Sequence, residues 1–136
     1  MDITIREYEN KDFESLNNLL NEVFNIKKSK NIVNDNIELV AINNEYVVGY
    51  LTINKLFDSV QNLNYANINY VCVLERYRNM GICSKMLDEV VKYCKKNNIS
   101  YIELTSNPTR KAARHLYEKK GFVIRETSVY RKEIIW

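Results

Sequence analysis

The residues that point most directly to chemistry form the run RNMGIC at 78–83, between an apolar stretch and an amphipathic one. The first backbone N–H groups of a helix lack intrahelical partners, and the helix dipole adds partial positive charge there. Gly81 would let a ligand approach the backbone without a Cβ in the way, and Arg78 would add a charged, forked donor. This arrangement suits a pyrophosphate. The alternative is that Gly81 only permits a tight strand-to-helix turn.

The elements that must position this run follow from hydrophobic periodicity. Helical spacing predicts a helix capped by Asn10 or Asp12, and further helices at 80–97 and 108–119. Alternating or continuous apolar residues predict strands at 2–8, 37–42, 46–53, 64–73 and 101–106.

Polar breaks, a turn and a terminal hairpin complete the pattern. Residues 25–36 and 58–64 are polar breaks, the first a loop or a short second helix. Asn43-Asn44-Glu45 makes a tight turn, because Asn tolerates positive φ. Gly121 ends the last helix as a C′ residue, and 122–126 and 128–135 are expected to pair as a terminal hairpin.

The order of elements predicts a single α/β (α+β mixed) domain over residues 1–136. The expected domain contains a central mixed, mostly antiparallel sheet of about seven strands flanked by about four helices. The last strand carries Ile134, Ile135 and Trp136. An exposed apolar edge strand favours pairing across a two-fold axis, so a homodimer is expected.

Composition excludes several classes of protein. The 136 residues are 46% hydrophobic and carry a net charge of +3, which is too small an excess to indicate a nucleic-acid partner. No apolar run is long enough for a membrane span and the N-terminus is not a secretory signal, so no membrane partner and a cytoplasmic location are expected. Three cysteines without a C-x-x-C pair, and one histidine, argue against disulfides and against a metal site.

The run YRNMGICSKML resembles the acetyl-CoA-binding motif of the GNAT superfamily of N-acetyltransferases, whose pattern is Arg/Gln-x-x-Gly-x-Gly/Ala. Arg78, Gly81 and Cys83 fill that pattern here. The segment ELTSNPTRKAARHLYEKKGF at 103–122 resembles the downstream strand and helix of the same superfamily. Two linked motifs are more specific than one, and the order of elements fits over nearly the whole chain.

The resemblance implies a role for each matching residue. Strands four and five would splay apart, so that the backbone of Val71, Cys72 and Val73 pairs with the pantetheine arm and one N–H group polarises the thioester carbonyl. Asn107 would hydrogen-bond the arm, and Tyr117 would protonate the leaving thiolate. The pyrophosphate would lie on the backbone and side chains of Arg78, Asn79, Met80, Gly81, Ile82, Cys83 and Ser84.

The activity implied by the resemblance is direct transfer of an acetyl group from acetyl-CoA, as cosubstrate, to a primary amine, with a small molecule as the expected acceptor. No metal is needed. Two alternatives stay open: a non-catalytic acetyl-CoA-binding regulatory module, and a protein or peptide N-acetyltransferase. The acceptor itself is not readable from the residues.

Two departures from the family pattern matter. Some relatives carry a Glu on the fourth strand as general base, whereas this chain has Ile68-Asn69-Tyr70. Asn69 could hold a water instead, and Glu103 and Glu75 are the other candidates. Cys83 stands where Gly or Ala is usual. A thiol at a helix N-terminus can be redox-sensitive, although a small buried side chain is the simpler interpretation. His115 is expected at the surface.

Overall fold

Alternation of apolar and polar residues builds one five-stranded sheet in the computed structural model, which describes residues 1–30 and 35–135. The chain divides into a first unit, Met1–Thr105, and a second unit that begins at Ser106. The first unit contains β1 (Thr4–Glu7), α1 (Phe13–Phe24), β2 (Ile37–Asn43), β3 (Tyr46–Asp58), β4 (Leu63–Val73), α2 (Ile82–Lys96) and β5 (Ile99–Glu103).

The strands follow one another across the sheet in chain order, β1-β2-β3-β4-β5. The first three pairs are antiparallel, and β4 and β5 are parallel because α2 crosses between them. The predicted turn between β2 and β3 is confirmed, since Asn44 and Glu45 both have positive φ, 48° and 69°. Two positive φ angles suit the twist of a two-residue hairpin.

The two helices of the first unit lie on opposite faces of the sheet. We call the face that carries Ala41, Gly49 and Leu51 the α2 face, because the Met86 methyl of α2 would lie 3.0 Å from a Cβ placed on Gly49. The other face carries Tyr50 and Thr52, which line a cavity together with Leu20 of α1. We call it the α1 face. Residues alternate between the two faces along each strand.

The second unit contains α3 (Lys111–Lys119), and its C-terminus confirms the predicted role of Gly121. Gly121 has a φ of 91° and donates to the Glu118 carbonyl, while Phe122 N–H donates 2.9 Å to the Tyr117 carbonyl. These two bonds form a Schellman motif, which only a residue tolerant of positive φ completes without strain.

The expected counts of about seven strands and about four helices are wrong: the described residues hold five strands and three α-helices. Within that part of the chain, residues 122–135 have no ladder partner, and a strand is stable only when its backbone is paired. Residues 25–30 and 35–36 are not helical; the rest of that segment and Trp136 lie outside the described residues. The strand expected at 101–106 lies at Ile99–Glu103 instead.

Along residues 1–30 and 35–135, no helix has both the length and the apolarity that crossing a membrane requires.

Candidate functional site

A bulge interrupts β4 near its end. Tyr50 of β3 pairs with Cys72 and Thr52 pairs with Asn69, so Tyr70 and Val71 together lie opposite the single residue Leu51. Tyr70 has a φ of 55°, which is uncommon for a residue with a side chain. A bulge turns the backbone that follows it, so the strand after Tyr70 presents its amides in a new direction.

Beyond the bulge, β4 runs on with no described strand paired to it on its β5 side. The β4–β5 ladder ends at Asn67 and Glu103, whereas β4 continues to Val73. Leu74 N–H donates 2.9 Å to the Val48 carbonyl of β3. Backbone N–H and C=O groups point alternately to the two sides of a strand. Those of Cys72 therefore face β3, while those of Val71 and Val73 face the opened side. The splay expected of strands four and five stays a prediction, since the ladder ends where β5 itself ends, at Glu103.

The N-terminus of α2 follows directly after this opened end of β4. Gly81 is its N-cap, with a φ of 78°, and a Cβ added there would meet no atom within 4 Å. Asn79 also has a positive φ, 63°. The first intrahelical bond comes from Lys85 N–H to the Gly81 carbonyl at 3.0 Å, and the first turn carries no acidic residue. This end of α2 therefore presents backbone donors and positive dipole with no competing carboxylate of its own.

The Arg78 side chain is held to the end of β4. Its Nε donates 3.1 Å to the Val73 carbonyl, on the opened side of the strand. Ile82 is 2% exposed and anchors the start of α2 in the core, while Met80 is half exposed. Cys83 and Ser84 are partly buried on the first turn. The structure thus brings the predicted residues Val71–Val73 and Arg78–Ser84 together in one unit.

The predicted residues of the second unit occupy different settings. The Oδ1 atom of Asn107 accepts hydrogen bonds from the Thr109 backbone and hydroxyl, at 3.0 and 2.8 Å. Tyr117 is the buried residue of α3, 7% exposed, and its ring meets that of Phe122 edge to face at 5.8 Å. His115 is exposed, as expected.

The carboxylates named as candidate bases are both exposed. Glu75 begins a short 3-10 turn after β4, and Glu103 pairs with Asn67 at the end of the β4–β5 ladder. Asn69 lies at the edge of the bulge and lines a cavity. Neither carboxylate belongs to the lining of that cavity.

The cavity lies on the α1 face and has a volume of about 300 Å³. Sequence reasoning did not find it, because its walls come from four separate segments. They are the end of α1 with the chain after it, β2, β3 and the bulged part of β4. The lining residues are Leu20, Ile26, Lys27, Lys28, Ser29, Asn36, Glu38, Tyr50, Thr52, Asn54, Asn69 and Tyr70.

Glu38 is the functional candidate that sequence reasoning missed. It pairs with Thr52 across β2 and β3, and Thr52 pairs with Asn69 across β3 and β4, so the three form a row across the α1 face. A charged residue inside the apolar run IELVAI was the available signal. A charge there indicates a face that is not filled by core packing.

The Glu38 carboxylate is already engaged. Lys28 Nζ donates to Oε1 at 2.7 Å, and the Tyr50 hydroxyl donates a short hydrogen bond to the same oxygen. Burial of Tyr50, and then its bond to Glu38, raise the pKa of the Tyr50 phenol far above its usual value. Tyr50 therefore remains a hydrogen-bond donor to Glu38 at every physiological pH.

A family model described as Acetyltransferase (GNAT) family matches residues 3–122. A comparison with curated protein sequences found no match. Solved structures share the fold. A transcriptional regulator from Bacillus halodurans C-125 is 25% identical, with a TM-score of 0.82 over 97% of this chain and 100% of that one.

Two further solved structures share the fold. An aminoglycoside acetyltransferase from an uncultured soil metagenomic sample is 18% identical, with a TM-score of 0.81 over 98% of this chain and 97% of that one. A ribosomal-protein-alanine N-acetyltransferase from Brucella melitensis biovar Abortus 2308 is also 18% identical, with a TM-score of 0.80 over 98% and 99% of the two chains.

Proposed function

Because the chain belongs to the GNAT acetyltransferase family, we propose that it moves the acetyl group of acetyl-CoA to the primary amine of a small molecule, by direct transfer in a ternary complex. The observation that carries this proposal is the conjunction of the bulged, opened end of β4 with an α2 N-terminus that has no acid in its first turn. Such a pair of features fits an extended ligand that ends in a pyrophosphate.

Each residue has a distinct task in this proposal. The backbone groups of Val71 and Val73 pair with the pantetheine arm, and the Val71 N–H is the donor to the thioester oxygen. The α2 N-terminus and Arg78 hold the pyrophosphate, and Asn107 contacts the arm. Acetyl-CoA supplies an activated acetyl thioester. Tyr117 gives its hydroxyl proton to the departing sulfur, since a tyrosine hydroxyl is protonated at neutral pH.

The cavity on the α1 face is our candidate for the acceptor site. Asn69 and Tyr70 form part of its lining; Tyr70 belongs to the bulge that presents Val71, and Asn69 lies at the edge of that bulge. An amine in the cavity would therefore be held beside the thioester, so that attack becomes unimolecular. The volume of about 300 Å³ supports a small acceptor.

Acetyl-CoA binding by isothermal titration calorimetry tests the cofactor site. We expect micromolar affinity in the wild type and a loss of about tenfold or more in Arg78→Ala, since a charged phosphate contact is removed. Arg76→Ala is the matched control, because Arg76 is exposed and pairs at 3.7 Å with Glu22. No binding at millimolar acetyl-CoA would overturn the proposal.

Thiol release with a panel of amines tests the transfer step. Tyr117→Phe removes only the hydroxyl, so we expect a fall in kcat of about 100-fold with acetyl-CoA binding retained. Retained binding without turnover of any amine by the wild type would favour a regulatory module instead.

A further inference from the structure

The ammonium group of Lys28 lies in the cavity proposed as the acceptor site. Lys28, Glu38 and Tyr50 all line the cavity. Lys28 Nζ lies 2.7 Å from Glu38 Oε1 and 5.0 Å from the centre of the Tyr8 ring. A carboxylate, a phenol and an aromatic face are the groups that recognise an ammonium ion in proteins.

We propose that Lys28 determines acceptor specificity: it fills an ammonium subsite around Glu38 and thereby excludes acceptors with a second cationic group. The inference rests on the proposed function, since it takes the cavity as the acceptor site. Its observable consequence is a preference for amines whose far end is neutral.

The position of Lys28 is fixed by more than the ion pair. Its backbone N–H donates 2.6 Å to Asn17 Oδ1 of α1, and its side chain is only 10% exposed. Because the backbone is tied to α1 and the ammonium to β2, the side chain cannot swing out of the cavity without breaking the ion pair. The subsite is therefore filled by a held residue rather than by a mobile surface lysine.

The charges of the cavity support the same conclusion. Among the described residues that line it, Glu38 is the only carboxylate, whereas Lys27 and Lys28 are both cationic. Lys28 neutralises Glu38, and the exposed Lys27 adds a positive charge. A dicationic acceptor would thus meet no uncompensated anion and would be repelled, which is selection by an unfavourable contact with the wrong ligand.

The subsite lies at a useful distance from the bulge. Glu38, Thr52 and Asn69 are aligned on three neighbouring strands, so Glu38 is two strand spacings, about 10 Å, from Asn69. A reacting amine beside the bulge and a second group beside Glu38 would belong to one acceptor with a short chain between them. Lys28 decides whether that second group can be an ammonium.

The test compares 1,5-diaminopentane with 5-aminopentan-1-ol, which differ in their far end. Binding of each to the full chain is measured by ligand-observed NMR titration, with and without CoA. In Lys28→Met we expect the diamine to bind about tenfold more tightly than in the wild type, because Glu38 then has no cationic partner of its own. The affinity of the amino alcohol should change by less than about twofold.

Two controls separate specificity from stability. Lys92→Met removes an exposed lysine that pairs with Glu89 on α2, and it should change neither affinity. The double variant Lys28→Met/Glu38→Gln should lose the gain for the diamine. If Lys28→Met melts below the working temperature, Lys28→Gln is measured in its place in the same way. Lys28→Gln keeps a hydrogen-bond donor at this position.

An unchanged diamine affinity in the folded Lys28 variants, or a gain that persists in the double variant, would overturn the inference. Acetyl-CoA binding is measured on the same wild-type sample. Failure of the proposed function then appears separately, as absence of acetyl-CoA binding, whatever the Lys28 variants do to diamine affinity.

Discussion

The two faces of the sheet use the same strands for different purposes. On the α2 face, Leu51, Ile53 and Ile68 are at most 1% exposed and pack beneath a helix. On the α1 face, the residues next to them in sequence are Thr52, Asn54 and Asn69, which are partly exposed and line the cavity. Around residues 51–54 of β3 and 68–69 of β4, the strands therefore alternate between core and candidate site, residue by residue.

The difference shows where stability and function are separated in this protein. The α2 face is close-packed, so a change of even one methyl group is felt there. The α1 face is also packed where Leu16, Leu19 and Val40 are buried, but its cavity is bordered by polar contacts such as Lys28 with Glu38. Its helix α1 begins at an ion pair between Arg6 and Asp12. Substitutions on the α2 face should act on unfolding, and those of the polar residues that line the cavity on the α1 face should act mainly on ligand binding.

The largest expected effect is Leu51→Ala. Leu51 is 0% exposed on the α2 face, so its truncation leaves a cavity and should lower the free energy of unfolding by about 2–5 kcal/mol. Thr52→Ala, one residue along the strand, should cost less than about 1 kcal/mol. Urea denaturation of both variants provides the measurement, and equal losses would contradict the division between faces.

Gly49→Ala should have the next largest effect. The added Cβ would lie 3.0 Å from the Met86 methyl and 3.2 Å from the Ala41 Cβ, so overpacking should cost about 1–3 kcal/mol. Since the Met86 side chain ends in a flexible methyl, the double variant Gly49→Ala/Met86→Ala should lose less than the sum of the single losses. Additive losses in thermal melts would show that the two sites do not meet.

Asp12→Asn tests how α1 is held. Arg6 donates two hydrogen bonds to the Asp12 carboxylate, and these bonds keep the pKa of that group below its usual value. The depressed pKa stabilises the folded state above the unfolded pKa of about 4, and that stability is lost as the pH falls through the folded pKa. On acidification, the free energy of unfolding of the wild type should therefore fall by about 1–2 kcal/mol more than that of the variant.

Chemical denaturation of both proteins from pH 6 downward measures that difference. Parallel pH profiles for wild type and Asp12→Asn would mean that another group produces the acid sensitivity.

The smallest expected effect is Tyr50→Phe. The ring stays buried while the hydroxyl that donates to Glu38 is removed. We therefore expect the free energy of unfolding to fall by about 1 kcal/mol or less. Lys28 still pairs with Glu38, so diamine binding should remain as weak as in the wild type. Thermal melts and the NMR titration check the two parts, and a loss of stability as large as that of Leu51→Ala would contradict the small contribution expected of the hydroxyl.

Local features of this protein were predictable from the sequence because each depends on a few neighbouring residues. The turn at Asn44 and Glu45 and the cap at Gly121 follow from which residues tolerate positive φ. The strand-to-helix junction at Gly81 follows from the change of hydrophobic period across it. These features, together with the resemblance of two linked segments, were enough to predict the family.

Features that join distant segments were decided only by the tertiary structure. The bulge at Tyr70 depends on the register between β3 and β4, and the cavity depends on Lys28 meeting Glu38, which lies 10 residues further along the sequence. The apolar pattern at 122–135 predicted strands, but alternation cannot show whether a partner strand is available. Sequence periodicity determines which face a residue occupies, whereas its neighbours on that face are determined by packing between segments.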